Sequence, residues 1–101
     1  MRASVRFSGR ARRAANDISK WWRENRSAAP ALFDVELAAV VEILGANPEI
    51  GVRYNERKNR LIRRFLLRET RFHIYYFYDP KKADVLIVAV WNAVRGKGPK
   101  L

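Results

Sequence analysis

The spacing of apolar residues along the chain predicts one short strand, two helices and a group of longer strands. Residues 2–7 alternate polar and apolar side chains, as a first β-strand does. Ser8 and Gly9 follow, and this pair is suited to end the strand and to cap a helix. Beyond them apolar residues recur at three- and four-residue spacing, which predicts a first helix that ends near Asn25 or Arg26. Its apolar positions are Ala11, Ala14, Ala15, Ile18, Trp21 and Trp22.

The adjacent pair Trp21 and Trp22 has two interpretations. Exposed indole rings are a stacking platform for nucleic-acid bases, but apolar rings at helical spacing are more often part of a core. Because both lie on the turn after Ile18, we expect at least one of them to be buried.

A second helical pattern follows, with Pro30 expected in its first turn, where a missing N–H is tolerated. Its apolar residues on one face are Phe33, Leu37, Val40 and Leu44. Gly45 and the pair Asn47-Pro48 are expected to end this helix. Residues 47–59 are polar, charged and without period, so they are predicted to form a loop.

Three strands are predicted in the remainder of the chain, at residues 60–67, 71–78 and 84–91. Short polar turns separate them, so we expect an antiparallel meander. The last strand is apolar on both faces, as is typical of a strand inside a sheet or against a partner. The predicted class is α+β: an N-terminal strand, a helical hairpin and a three-stranded antiparallel meander, with the helices packed on one face of the sheet.

Strand parity assigns side chains to the two faces of that sheet. Alternate residues of a strand point to opposite sides. We expect Phe72, Ile74, Tyr76 and Tyr78 to lie under the helices with Phe65 and Leu67. The opposite face would then carry Arg64, Leu66, Arg68, Arg71, His73, Tyr75 and Phe77. Arginine and tyrosine are enriched at interfaces, so this cationic and aromatic face is predicted to bind a partner.

Composition limits the possible functions. The chain has 101 residues with 49% apolar content, which suits one domain over 1–101, ending in a basic flexible tail at 92–101. Cysteine is absent and there is one histidine, so neither a disulfide framework nor a metal site is expected, and no cofactor is implied. No run of 18 apolar residues and no secretory signal is visible, so we expect a cytoplasmic protein without membrane contact.

Charge is the strongest compositional feature, with 21 basic residues against 10 acidic ones and a net charge of +11. The basic residues concentrate in residues 1–26, in 51–71 and in the tail, and the segment between the first two leans acidic. Such a protein attracts nucleic acid or an acidic protein partner. The alternative is a charged surface that only maintains solubility.

Acid–base chemistry is sparsely represented in the sequence. Arginine cannot be deprotonated in proteins, so it stabilises phosphate charge but moves no proton. His73 is the one side chain whose ordinary pKa lies near neutrality, and Tyr75 and Glu69 are distant alternatives. The chain has no Ser-His-Asp spacing, phosphate-binding loop or paired carboxylates. Whether the protein is an enzyme therefore stays open.

Several stretches together resemble the RelE/ParE superfamily of type II toxins. They are the N-terminal strand with its helical hairpin, "NPEIG" after the second helix, "LIRRFLLRETRFHIYY" across the hairpin and "VLIVAVWNAVRGKGP" at the end. The resemblance is closer to the ParE and plasmid-stabilisation branch. It implies a small cytoplasmic toxin that is neutralised by a cognate antitoxin, and it implies that the toxin inhibits growth by binding DNA gyrase.

The ribosome-dependent mRNA endonucleases of the same superfamily are the alternative that the resemblance implies. Their set of basic residues is incomplete here, since Leu66 and Ala93 stand where such residues are expected. A nuclease site would have to use Arg64, His73, Tyr75 and Arg95. For binding of a target or an antitoxin, the predicted residues are Arg64, Arg68, Arg71, His73, Tyr75, Arg95 and Lys97. A third possibility is a basic nucleic-acid-binding domain without toxicity.

Overall fold

A five-stranded sheet with two helices on one of its faces makes up the fold, in a computed structural model that describes residues 2–101. The elements are β1 (Ser4–Phe7), α1 (Gly9–Asn25), α2 (Leu32–Ala46), β2 (Val52–Arg57), β3 (Arg60–Leu67), β4 (Phe72–Asp79) and β5 (Asp84–Asn92). The strand order is β1-β5-β4-β3-β2. The predicted α+β class and the order of its elements are confirmed.

Strand pairing differs from the prediction in two ways. The strands from β2 to β5 form an antiparallel meander of four strands, and β1 pairs with β5 in parallel, so the sheet is mixed. The parallel pairing follows from the helical hairpin, because the two helices carry the chain from β1 over the sheet before it returns.

The prediction of a loop over residues 47–59 is wrong, because β2 lies within it. β2 is an edge strand, and of its six residues only Tyr54 is partly buried. Such a strand lacks a buried face, so it lacks the apolar alternation by which strands are recognised. Lys58 and Asn59 close the β2–β3 hairpin with positive φ angles of 51° and 63°, as a type I′ turn requires.

The first helix begins as predicted. The Ser8 hydroxyl accepts a hydrogen bond from the Ala11 amide at 3.1 Å and caps α1. Trp22 is partly buried and packs against the core while Trp21 is 46% exposed, which confirms that at least one of the pair belongs to the core.

The second helix begins at Leu32, so the prediction of Pro30 in its first turn is wrong. Residues 27–31 instead form turns, in which the Ala29 amide donates to the Arg26 carbonyl and the Leu32 amide donates to the Ala29 carbonyl. The predicted apolar face is confirmed: Phe33, Val40 and Leu44 are buried, and Leu37 packs beside them.

The main core lies between the helices and one face of the sheet. From the sheet it contains Leu67, Ile74, Tyr76, Val85, Ile87 and Val90, and Phe65, Phe72 and Tyr78 pack against it. The predicted side of β4 is therefore confirmed. β5 lies between β1 and β4, which explains why its sequence is apolar on both faces.

Two side chains accept hydrogen bonds from the segments that connect the helices and strands: the segment before β2 and the turn between β3 and β4. The Tyr76 hydroxyl accepts a hydrogen bond of 2.8 Å from the Gly51 amide, and a Cβ atom at residue 51 would lie 2.6 Å from that oxygen. The Glu36 carboxylate of α2 accepts bonds from the Glu69 amide at 2.8 Å and from the Thr70 amide and hydroxyl at 3.0 and 2.7 Å. Partial burial raises the pKa of Glu36, but these hydrogen bonds outweigh it and hold the pKa below its ordinary value.

No helix within residues 2–101 is long and apolar enough to cross a membrane.

Candidate functional site: the open sheet face

The side of the sheet away from the helices, called here the open sheet face, carries the predicted site. Cross-strand pairing aligns Arg64 with Tyr75 and Leu66 with His73 between β3 and β4, and His73 with Trp91 between β4 and β5. The face consists of Tyr54, Arg60, Ile62, Arg64, Leu66, His73, Tyr75, Phe77, Val88, Ala89 and Trp91. The structure thus brings Arg64, His73 and Tyr75 together, as strand parity predicts.

Three arginines of this region lie over aromatic rings. The guanidinium carbon of Arg60 is 4.9 Å from the centre of the Phe77 ring, and that of Arg64 is 5.5 Å from the Tyr54 ring. The third pair joins Arg95, which follows β5, to Trp91 at 5.1 Å. Cation–π contacts hold each guanidinium against the sheet while its N–H groups stay available to an anion.

These arginines are not neutralised by acidic side chains. The ion pairs among residues 2–101 are Arg2–Glu42, Arg6–Asp84, Arg23–Asp34 and Arg63–Glu49. None of them contains Arg60, Arg64 or Arg95. Unpaired guanidinium groups on one surface attract anions and steer their approach.

His73 is the titratable group at the centre of the face. Partial burial is the main cause that lowers the pKa of its imidazole below 6.5, and the positive charges of Arg64 and Arg71 lower it further. The ring is therefore mostly neutral at pH 7 and is able to accept a proton. Its centre is 5.9 Å from that of the Tyr75 ring.

Tyr75 is placed differently from the expectation of an exposed side chain, because it is only 1% exposed. It forms a small second core with Ile62 and Ala89, and the Tyr54 ring packs edge-on against it with 4.7 Å between ring centres. A macromolecule cannot reach this phenol while the surrounding residues keep these positions.

Arg68 and Arg71 lie in the turn between β3 and β4, as predicted for Arg68, whereas Arg71 was predicted to begin β4. Arg71 has a φ angle of 65°, and its amide donates to the Leu67 carbonyl at 2.9 Å. Arg71 still contributes positive charge beside His73. The prediction placed it in β4 because Arg-Phe-His continues the alternation, whereas the four-residue turn needs a left-handed residue there.

Residues 94–101, called here the tail segment, return over the open sheet face. The Trp91 Nε1–H donates to the Lys97 carbonyl at 2.8 Å, and the Tyr54 hydroxyl donates to the Pro99 carbonyl at 3.2 Å. The side chains of Arg95 and Lys97 are exposed, as predicted. Beyond Pro99 the segment borders an open cleft of about 870 Å³, lined by Glu56, Arg57, Lys58, Arg60, Ile62, Val88 and Leu101.

Sequence reasoning missed Tyr54, Arg60 and Trp91 as members of the open sheet face, and it placed Phe77 there without including it among the binding residues. Tyr54 was missed because β2 was expected to be a loop. The spacing of Arg60, Ile62 and Arg64 did contain a signal, since i, i+2 and i+4 share one face of a strand. Within residues 2–101 no group of three or more His, Cys, Asp or Glu side chains is arranged to hold a metal ion.

No protein-family model and no curated protein matches the sequence significantly. Solved structures do match. A chain of the archaeal RelE–RelB complex from Pyrococcus horikoshii OT3 has a TM-score of 0.67 at 15% identity, over 95% of this chain and 100% of that one. A chain of the toxin–antitoxin complex RelBE2 from Mycobacterium tuberculosis has a TM-score of 0.61 at 18% identity, over 92% and 94% of the two chains.

These similarities confirm the family resemblance at the level of the fold: the protein has the fold of RelE toxins. At such identities the fold alone is established, and activity has to be argued from the site.

Proposed function

We propose that this protein is the toxin of a type II toxin–antitoxin module and that it acts by binding its target through the open sheet face. The observation that carries the proposal is the set of three arginines stacked on aromatic rings without acidic partners. The shared fold with RelE, in structures of complexes with RelB, supports the toxin–antitoxin context.

The chemistry of the face favours binding over catalysis. Cleavage of RNA through its 2′-hydroxyl needs one group that takes a proton and another that gives one. His73 can accept a proton, but Tyr75 is buried and the arginines cannot titrate. With DNA gyrase as its target, the toxin would place its arginines against the DNA bound to the enzyme or against acidic protein surface.

A second candidate, an mRNA endonuclease on the ribosome, is favoured by one specific observation. The neutral imidazole of His73 lies close enough to Arg64 and Arg71 for their charges to lower its pKa, and Arg95 stacks on the neighbouring Trp91. In that mechanism His73 takes the 2′-hydroxyl proton as this oxygen attacks phosphorus, the arginines stabilise the phosphate charge, and the 5′-oxygen leaves with a proton from solvent water. The RelE neighbours fit this candidate as well.

The antitoxin would be an acidic protein with an apolar segment that folds on this toxin. A net charge of +11 on a domain of this size supports an acidic partner, and coupled folding lets a short segment cover a large surface. It would cover Arg64 and the turn that contains Arg68 and Arg71.

The test is inducible expression in bacteria with parallel measurement of growth, mRNA cleavage and the DNA-damage response. Growth should stop, damage signalling should rise, transcripts should stay intact, and co-expression of the product of the adjacent reading frame should restore growth. Cells that express Arg64→Gln should plate at least tenfold more efficiently than cells that express the parent protein. The reason is that a hydrogen bond from a charged group to the target is worth about 1.5–3 kcal/mol.

The matched control is Arg13→Gln on the exposed side of α1, which removes the same charge far from the open sheet face and should leave toxicity unchanged. Transcript cleavage that disappears in His73→Gln would select the endonuclease instead. Absence of any growth defect with a well-folded protein would leave only a nucleic-acid-binding domain.

A further inference from the structure

The tail segment is held on the open sheet face by specific contacts at two points. Midway along it, the Trp91 indole donates to the Lys97 carbonyl at 2.8 Å. Further on, the Tyr54 hydroxyl donates to the Pro99 carbonyl at 3.2 Å. Both donors belong to strands, β5 and β2, at opposite sides of the face, so the segment crosses the sheet between them.

Close packing accompanies these hydrogen bonds. Pro99 is buried although it follows a run of exposed residues, and Leu101 packs against the cluster of Ile62, Tyr75 and Ala89. Gly98 lies directly on the two tyrosines: a Cβ atom there would overlap the Tyr54 hydroxyl and would lie 3.2 Å from the Tyr75 hydroxyl. By contrast, a Cβ atom at Gly96 would meet nothing within 4 Å.

The covered part of the face differs from the uncovered part. The segment lies on the tyrosine floor made by Tyr54 and Tyr75, while its cationic residues stay exposed: Lys97 is open to solvent and the Arg95 guanidinium lies over the Trp91 ring. Base stacking and apolar contacts to a target would need the floor, and charge attraction needs only the exposed cations. With the segment in place, the exposed cations can still attract an anionic target, but the target cannot contact the tyrosine floor.

We propose that the tail segment is an intramolecular strap that masks the tyrosine floor, and that close engagement of an anionic target requires release of the strap. This inference rests on the proposed function only in assigning the open sheet face to a target. The masked state lowers apparent affinity by the fraction of molecules in which the strap is released. Two neutral hydrogen bonds of modest net strength and the packing of Pro99 and Leu101 hold the strap in place, and none of the ion pairs among residues 2–101 fixes it.

The experiment compares Gly98→Val with Gly96→Val in the full chain. Both add the same side chain to the same segment, and neither glycine has a positive φ angle, so neither change strains the backbone. The first readout is nitration of tyrosines by tetranitromethane, mapped by peptide mass spectrometry. Tyr75 should react at least fivefold faster in Gly98→Val than in the parent protein or in Gly96→Val, and Tyr76 in the main core serves as the protected reference.

The second readout is binding of a fluorescent single-stranded RNA of twelve nucleotides at fixed salt. Gly98→Val should bind the RNA about fivefold to tenfold more tightly than Gly96→Val. In Gly98→Val the tail segment is already displaced, so binding no longer has to displace it from the tyrosine floor. Trp91→Phe, which removes the indole donor and keeps a ring under Arg95, is a second route to release and should raise Tyr75 nitration as well.

Equal nitration of Tyr75 in the parent protein, Gly98→Val and Trp91→Phe would overturn the strap. So would weaker RNA binding by a Gly98→Val protein with an exposed Tyr75, since the segment would then be part of the binding surface. If Tyr75 becomes exposed, RNA binding tightens and no variant arrests growth, the strap stands and the proposed toxin function fails.

Discussion

The two faces of the sheet are built from neighbouring residues of the same strands, yet they are held in place by different means. On the helix side, Leu67, Ile74 and Tyr76 are fully buried under α1 and α2. On the open sheet face, Leu66 and His73 are partly exposed, and Tyr75 is buried beneath the tail segment.

This difference separates stability from binding. The helix side buries a continuous apolar cluster, and apolar burial is the main source of folding free energy. On the open sheet face, arginines lie over aromatic rings. The tail segment lies across this face, and two of its backbone carbonyls accept hydrogen bonds from the sheet. Changes on the first face should alter unfolding, and changes on the second should mainly alter recognition.

The largest effect is expected from the leucine pair at the end of β3. Leu67→Ala should lower the free energy of unfolding by about 3 kcal/mol, because it leaves a cavity in a fully buried site. Leu66→Ala, one residue earlier on the open sheet face, should cost about 1 kcal/mol or less, since its side chain is partly solvated already. Urea denaturation measures both. Equal losses would show that the open sheet face contributes as much to stability as the core.

A smaller difference is expected from the adjacent tyrosines of β4. Tyr76→Phe removes the hydroxyl that accepts the Gly51 amide and leaves that buried N–H unpaired, so it should cost about 1–2 kcal/mol. Tyr75→Phe should change stability by no more than about 0.5 kcal/mol. Urea unfolding measures both changes. A larger loss for Tyr75→Phe would show that the hydroxyl on the open sheet face contributes more to stability than the one in the core.

The smallest effect concerns the pH dependence of stability through His73. Burial and the charges of Arg64 and Arg71 depress the pKa of this imidazole in the folded protein, so the unfolded chain binds the proton more readily. Stability should therefore fall as the pH drops below about 6.5, the ordinary value for histidine. His73→Gln should remove this part of the slope between pH 7 and 5. An unchanged slope would mean that His73 titrates normally in the folded state.

Much of the architecture was determined by local sequence. The apolar period fixed both helices to within a few residues, Ser8 gave the first cap, and the alternation from Phe72 to Tyr78 assigned β4 correctly to its two faces. These features are local because a helix or a half-buried strand repeats its environment every few residues. The stretches that follow this order along the chain were sufficient to predict a fold similar to that of RelE.

Tertiary structure alone decided the edge strand, the parallel pairing and the cover of the open sheet face. β2 is a strand because its backbone pairs with β3. Its side chains are mostly exposed and show no pattern that would predict this pairing. Tyr75 appeared exposed from parity, but it is buried because Trp91 and Tyr54, 37 residues apart in the chain, both donate to the tail segment. Contacts between residues so distant in sequence leave no period to detect, since they depend on chain geometry rather than on a local repeat.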